Sequence, residues 1–514
     1  MLQFQNVTFR HEQSSQTLLE DVTLQCPPGW TGVVGPNGAG KTTLLLLACG
    51  QLSPTQGQVR GSGRALYCPQ RTDDPPELFG EFLDDTDGEV CALRGRLQID
   101  PDGGARWETL SHGERKRVQI GVALWQAPAI LLLDEPTNHI DAQARALLQG
   151  ALEAYRGIGL LVSHDRELLD ALCSRCLFLE PPSVRLRQGN YTQAAELEKL
   201  DGVRAQRQRE LAKEQVARLQ RSAAQRQREA SQADRKRSKR DLDLRDHDGR
   251  SKIDQARLAG ADGHAGKIAG QMQGRLRHAQ EALDAARVRK AYRSGIWIPG
   301  ERSHRDTLIH LGPGSLPLGE GRRLRHPELS IRPTDRVAVT GPNGSGKSTL
   351  VRHLMARQSL PTERVCWIPQ EVPLQTSREI LDEARGASEA DRGRLFTVVS
   401  RLGSRPDRLL ESVEPSPGET RKLLLAQAVV RSPHLIAMDE PTNHMDLPSI
   451  ECLEEALADC PCALLLVSHD LRFLRRVTEV WWRIEQIAGS ADTIVRVAPF
   501  EGTPCSGDKR PAAA

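Results

Sequence analysis

Gly35-Pro36-Asn37-Gly38-Ala39-Gly40-Lys41-Thr42 returns 306 residues later as Gly341-Pro342-Asn343-Gly344-Ser345-Gly346-Lys347-Ser348. Each copy follows a strand-like run (Thr31-Gly32-Val33-Val34; Arg336-Val337-Ala338-Val339) and opens a helix-like one through Thr43 and Leu44, or Thr349 and Leu350. A strand, a glycine-rich loop and a helix in that order make a phosphate cradle. Glycine lets consecutive backbone N–H groups turn inward around a phosphate, and the helix N-terminus adds partial positive charge. Lys41 and Lys347 are placed to reach the β- and γ-phosphates, and Thr42 and Ser348 to ligate magnesium.

A second element is repeated at nearly the same offset. Ile130-Leu131-Leu132-Leu133-Asp134-Glu135-Pro136-Thr137-Asn138-His139 recurs as Leu435-Ile436-Ala437-Met438-Asp439-Glu440-Pro441-Thr442-Asn443-His444. Four apolar residues before an acid predict a buried strand that delivers Asp134 or Asp439 to the magnesium. The adjacent Glu135 or Glu440 is then the candidate general base for an attacking water. His164 in Leu161-Val162-Ser163-His164-Asp165 has its twin at His469, and each ends a strand where an imidazole can contact the γ-phosphate. Gln70 and Gln370 follow their lysines by 29 and 23 residues, a place from which to sense magnesium and water.

Between glutamine and acid lies Leu110-Ser111-His112-Gly113-Glu114 in one half and Ser416-Pro417-Gly418-Glu419 in the other. With the elements above, in that order, the chain resembles the ATP-binding cassette (ABC) proteins. The resemblance implies an α/β fold of two P-loop cassettes, with the signature residues Ser111 and Gly113, or Ser416 and Gly418, capping nucleotide held by the opposite cassette. One composite site then pairs Lys41 with Ser416 and the other Lys347 with Ser111. Asp141 and Asp446 match the family's D-loop, which crosses the cassette interface. His112 departs from the usual glycine, and Pro415 from a leucine. Phe9 is the candidate for stacking on adenine in the first cassette; the second shows no clear aromatic there.

Length alone suggests about three domains for 514 residues. The repeats place cassettes at 1–190 and 301–490, a connector at 191–300 and a short unstructured tail at 491–514. The whole chain carries a net charge of +3, yet residues 204–293 hold 24 Lys or Arg against 12 Asp or Glu. Basic charge is therefore concentrated in the connector. No apolar run approaches the ~18 residues of a membrane span, and the N-terminus lacks the pattern of a secretory leader, so a cytoplasmic protein is expected. Eleven scattered cysteines, including Cys173-Ser174-Arg175-Cys176 and Cys460-Pro461-Cys462, read as buried thiols, without the paired clusters of a zinc site.

Within the connector, residues 194–245 read as a long polar helix. Residues 267–293 read as a second, with an apolar stripe at Ile268, Met272, Leu276, Ala279, Leu283 and Ala286. Glycines and basic residues between them predict a helical hairpin with an irregular tip at 246–270. The run Arg235-Lys236-Arg237-Ser238-Lys239-Arg240 is denser than a spacer needs, and suits a phosphate backbone through counterion release. Few aromatics accompany it, which favours structured RNA over stacked single strands. Two fused cassettes, the doubled Glu-Pro-Thr-Asn-His and a charged helical linker together are similar to the ABC-F group. That similarity implies ATP and Mg2+ as ligands, a monomer with its two cassettes paired, and the ribosome as partner. It also implies a linker directed toward tRNA and the peptidyl-transferase centre, as in a translation factor or an antibiotic-resistance protein. The alternative is the ATPase subunit of an ABC transporter acting on a separate membrane protein. With 41 residues from Gln70 to Ser111, the arm insertion common in the group is expected to be absent or minimal.

Overall fold

The computed structural model describes residues 1–11, 17–100, 107–138, 140–236, 262–285, 298, 300–319, 321–404, 406–412, 414–443 and 445–499. The strand predicted to carry the first acid, Ile130–Asp134, is buried at every position, as is Ile158–Val162 beside it. Unbroken apolar runs of this kind belong to parallel strands covered on both faces. They sit in a six-stranded sheet ordered Ala65–Cys68, Ile130–Asp134, Ile158–Val162, Gly29–Val34, Cys173–Glu180, Ser183–Gln188. All neighbours are parallel except the last pair. The P-loop helix Lys41–Ala48 buries Leu44, Leu45 and Leu47 in one cluster with Val33, Leu132 and Leu160. A three-stranded antiparallel sheet, Leu19–Cys26, Leu2–Phe9 and Gln56–Gly61, closes the other side of that cluster.

The second half repeats the plan in an eight-stranded sheet whose centre runs Val480–Gln486, Arg336–Thr340, Ala463–Val467, Leu435–Asp439, Val365–Ile368. Thr493–Pro499 pairs antiparallel with Val480–Gln486 and parallel with Arg322–His326. The second cassette therefore extends through Pro499, where the sequence led us to expect a tail from 491; residues 500–514 lie outside the described ones.

The described residues among Met1–Ala194 and Tyr292–Ala514 form one compact unit, and those among Ala195–Ala291 a second. Helix Tyr191–Lys236 begins in the first unit and continues into the second, which also holds helix Asp262–Ala285. The latter starts five residues before the predicted 267 and runs through Gly263, Gly266 and Gly270, glycines of the expected irregular tip. Met272, Leu276, Ala279 and Leu283 are half-buried along one stripe, with exposed residues between most of them. Positions 237–261 of the expected tip and basic cluster, with Tyr292 and Trp297, lie outside the described residues. No helix among the described residues is long and apolar enough to cross a membrane.

Candidate nucleotide sites

The first cradle is shaped by two glycines that admit no side chain. A Cβ on Gly35 would stand 2.6 Å from the Leu179 carbonyl oxygen, and Gly40 caps the P-loop helix at φ +91° against Leu18. That turn brings Lys41 Nζ back to donate to the Gly35 and Pro36 carbonyls at 2.9 and 3.3 Å. Lys347 repeats the contact with Gly341 and Pro342 at 2.8 and 2.9 Å. Thr42 Oγ1 donates to Asp134 Oδ2 at 2.7 Å, so hydroxyl and carboxylate already share one corner. Tyr67 reaches the same oxygen at 3.2 Å. In the second half, Ser348 Oγ donates to Gln370 Oε1 at 3.4 Å. Asp439 Oδ1 is buried with no hydrogen-bond partner, although a buried carboxylate oxygen ordinarily has one. One carboxylate, one hydroxyl and phosphate oxygens make the hard-oxygen donor set that magnesium prefers.

The two catalytic candidates share an unusual backbone. Glu135 and Glu440 sit at φ +47° and +52°, the left-handed region that costs a non-glycine residue about 1 kcal/mol or more. Their N–H groups donate to the carbonyls of Val162 and Val467, anchoring each acid to the neighbouring strand. Each carboxylate accepts one hydrogen bond from the backbone of its histidine and lies close to that histidine's ring. His164 N donates to Glu135 Oε2 at 3.1 Å and His164 Nε2 lies 3.1 Å from Oε1; for Glu440 and His469 the distances are 3.3 and 3.4 Å. Burial pushes the Glu135 carboxyl up to about 7 and raises Glu440 likewise. Burial also pushes both imidazoles down, with the P-loop lysine charges acting in the same direction. A basic carboxylate beside a neutral imidazole is suited to hold a water and take its proton.

A cavity of about 780 Å³ lies over the first cradle. Asn37, Gly38, Gly40, Lys41, Thr42, Thr43, Gln70, Asp134, Glu135 and His164 line it from the first cassette, and Ser416, Gly418 and Lys422 from the second. Ser111 and Ser416 each cap their helices, His112–Trp125 and Pro417–Arg431, in a reciprocal box with Glu114 or Glu419. The D-loop contacts are mutual: Asn37 N donates to Asp446 Oδ2 at 2.8 Å, and Asn343 N to Asp141 Oδ2 at 3.2 Å. Gly113 packs near Ile140, and Ala39 and Ser345 are buried under their loops.

Phe9 does not face this cavity. It is 6 % exposed in the apolar cluster and meets His11 edge-on at 4.9 Å, and it is His11 that lines the cavity. The ring available to a base is therefore the imidazole, two residues further on. Sequence reasoning also missed the centre of the cassette interface. Arg166, 4 % exposed, donates to Glu454 at 2.7 Å and Asp470 at 3.3 Å, and Arg476 joins Glu454 at 3.1 Å. Nothing local in the sequence pairs residues 288 positions apart.

Residues 19–138 and 324–443 match the family model described as ABC transporter. The chain is 30% identical over 562 residues to the Tylosin resistance ATP-binding protein TlrC of Streptomyces fradiae, covering 93% of this chain and 96% of that one. It is 28% identical over 488 residues to the Ribosome protection protein VmlR of Bacillus subtilis, covering 91% and 84%. Among solved structures it resembles the archaeal ribosome recycling factor aABCE1 in complex with the stalk protein aP1. The TM-score there is 0.62 at 19% identity, covering 95% of this chain and 89% of that one, which speaks to fold alone.

Proposed function

The chain belongs to the ABC-F family of twin-cassette ATPases, and from that membership we propose that it hydrolyses ATP at two composite sites to control binding to the ribosome. The observation that carries this is the first-site cavity, where Lys41, Glu135 and His164 of one cassette face Ser416 and Gly418 of the other. Nucleotide there is held by both cassettes at once, so binding favours their closed pairing. The mutual D-loop contacts support pairing Ser111 with the Lys347 site by the same relation. Magnesium, held by Thr42 and Asp134 or by Ser348 and Asp439, would neutralise phosphate charge. Glu135 and Glu440 take the proton of the attacking water, His164 and His469 orient their carboxylates, and Gln70 and Gln370 sense the magnesium and that water. His11 stacks on the first adenine.

The connector supplies the other half of the reading. Its excess of Lys and Arg fits an RNA backbone, and the relatives named for ribosome protection and tylosin resistance point the same way. In the closed state the protein, working in the cytoplasm as a monomer, directs residues 246–270 toward tRNA and the peptidyl-transferase centre; hydrolysis releases it. Deleting 246–270 tests this. The expected result is unchanged ATP turnover with loss of any effect on an in vitro translation reaction, with and without a macrolide. Full translation activity after the deletion would reduce the connector to a spacer.

A further inference from the structure

Each signature helix carries a buried cation five residues past its N-cap serine. Lys116, 1 % exposed, donates to the Pro69 carbonyl at 2.8 Å, the Gln70 carbonyl at 3.0 Å and Gln119 Oε1 at 2.9 Å. Its three donors are thus all satisfied. Arg421, 5 % exposed, donates to the carbonyls of Glu440 at 3.0 Å, Asn443 at 2.8 Å and Gln370. Neither cation lines the cavity over the Lys41 cradle. Burying a charge is costly, and a methionine would fill either space without that cost. What the cations do provide is a tie between the signature helix and the glutamine loop of the same cassette. In the second cassette the tie also reaches the loop that bears the catalytic glutamate.

The consequence lies in what the two ends of each helix face. Ser416, at one end of its helix, lines the cavity over Lys41. Arg421, about 7–8 Å further along, grips the carbonyls of Gln370 and Glu440, which belong to the Lys347 site. A helix is stiff over so short a span, so movement of Ser416 toward nucleotide in one site displaces the glutamine and glutamate of the other. Lys116 does the converse: Ser111 heads the helix, and Gln70 of the Lys41 site hangs from its cation. We propose that Lys116 and Arg421 are positioning residues that couple the two nucleotide sites through the signature helices. This rests on the composite-site reading above. The coupling is unequal, because only Arg421 also holds the backbone of a general base.

A thermodynamic cycle on the full chain tests it, in the Glu135→Gln, Glu440→Gln background to prevent turnover. The affinity of the Lys41 site for a fluorescent ATP analogue is measured with the second site intact and with Lys347→Ala. The ratio is expected to be about 5-fold or more, the lower end of ordinary coupling. Adding Lys116→Met or Arg421→Met should erase that ratio, whereas Lys116→Arg and Arg421→Lys should retain part of it. In the hydrolytic chain, Lys116→Met should raise KM with little change in kcat, and Arg421→Met should lower kcat as well. An unchanged ratio in the methionine variants overturns the inference. So does a ratio lost equally in the conservative variants, since that is the mark of a loosened helix. Ser416→Arg separates this from the reading beneath it: if that change leaves the Lys41 site unaffected, composite sites fail; if it blocks the site while Arg421→Met keeps the ratio, only the coupling fails.

Discussion

At the scale of single residues, the catalytic set was legible because its chemistry is local. A lysine after glycines and an acid after four apolar residues keep their meaning wherever the chain goes. Glu135→Gln or Glu440→Gln should each slow turnover at its own site by about 100-fold or more while preserving ATP binding, as single-turnover assays would show. Phe9 was misread for an equally local reason. Strand Leu2–Phe9 shifts register between Phe4 and Val7 and again between Val7 and Phe9, so simple alternation does not tell which side chains face inward. Leu2, Phe4, Val7 and Phe9 all face the core. Phe9→Ala should therefore cost about 3 kcal/mol of stability, as a buried phenylalanine does, seen as a lowered Tm. His11→Ala should leave Tm unchanged and weaken ATP at the first site only. Equal effects on Tm would refute that division.

Among elements, the start of helix Tyr191–Lys236 is held from both cassettes. Asp170 of the first accepts from Thr192 N and Oγ1 at 2.7 and 2.5 Å. From the second, Arg472 donates to Asp170 at 3.2 Å and Thr192 at 2.9 Å, while Tyr191 donates to Glu451 at 3.1 Å. Opening the cassettes would break the second group and leave the first. Arg472→Ala is thus expected to preserve ATP hydrolysis but weaken the ATP dependence of ribosome binding, measured by pelleting across ATP concentrations. No change in that dependence would show that the helix start is held well enough by Asp170 alone. The existence of the two long helices was legible, their ends less so. Each interior glycine costs a helix ~1 kcal/mol, so Gly263, Gly266 and Gly270 argued for a break that the fold does not make. Strand Thr493–Pro499 falls within the expected tail at 491–514; Gly489, at φ +74°, lies in the turn that joins it to its paired strand Val480–Gln486.

For the whole molecule, the repeat predicted two cassettes, and the interface between them rests on pairings no repeat reveals. Arg166 in the first cassette bonds Glu454 and Asp470 in the second; Arg166 and Glu454 are buried and Asp470 half-buried. Replacing one partner of such a pair strands the others and typically costs about 3–5 kcal/mol. Arg166→Met should accordingly lower Tm and impair closure, and Arg166→Met with Glu454→Leu should recover part of the loss. Failure of the double variant to recover would place the cost elsewhere than in the stranded charge. The interface and the basic connector meet in one central claim: ATP-driven closure of the cassettes is what commits the protein to ribosomal RNA. Sedimentation of the Glu135→Gln, Glu440→Gln chain with purified 70S ribosomes is the most direct test. The account predicts pelleting with ribosomes in ATP and release in ADP, the pelleting weakened by rising salt as phosphate contacts require. Failure to pellet with ribosomes in ATP, or ribosome binding indifferent to the nucleotide, would contradict it.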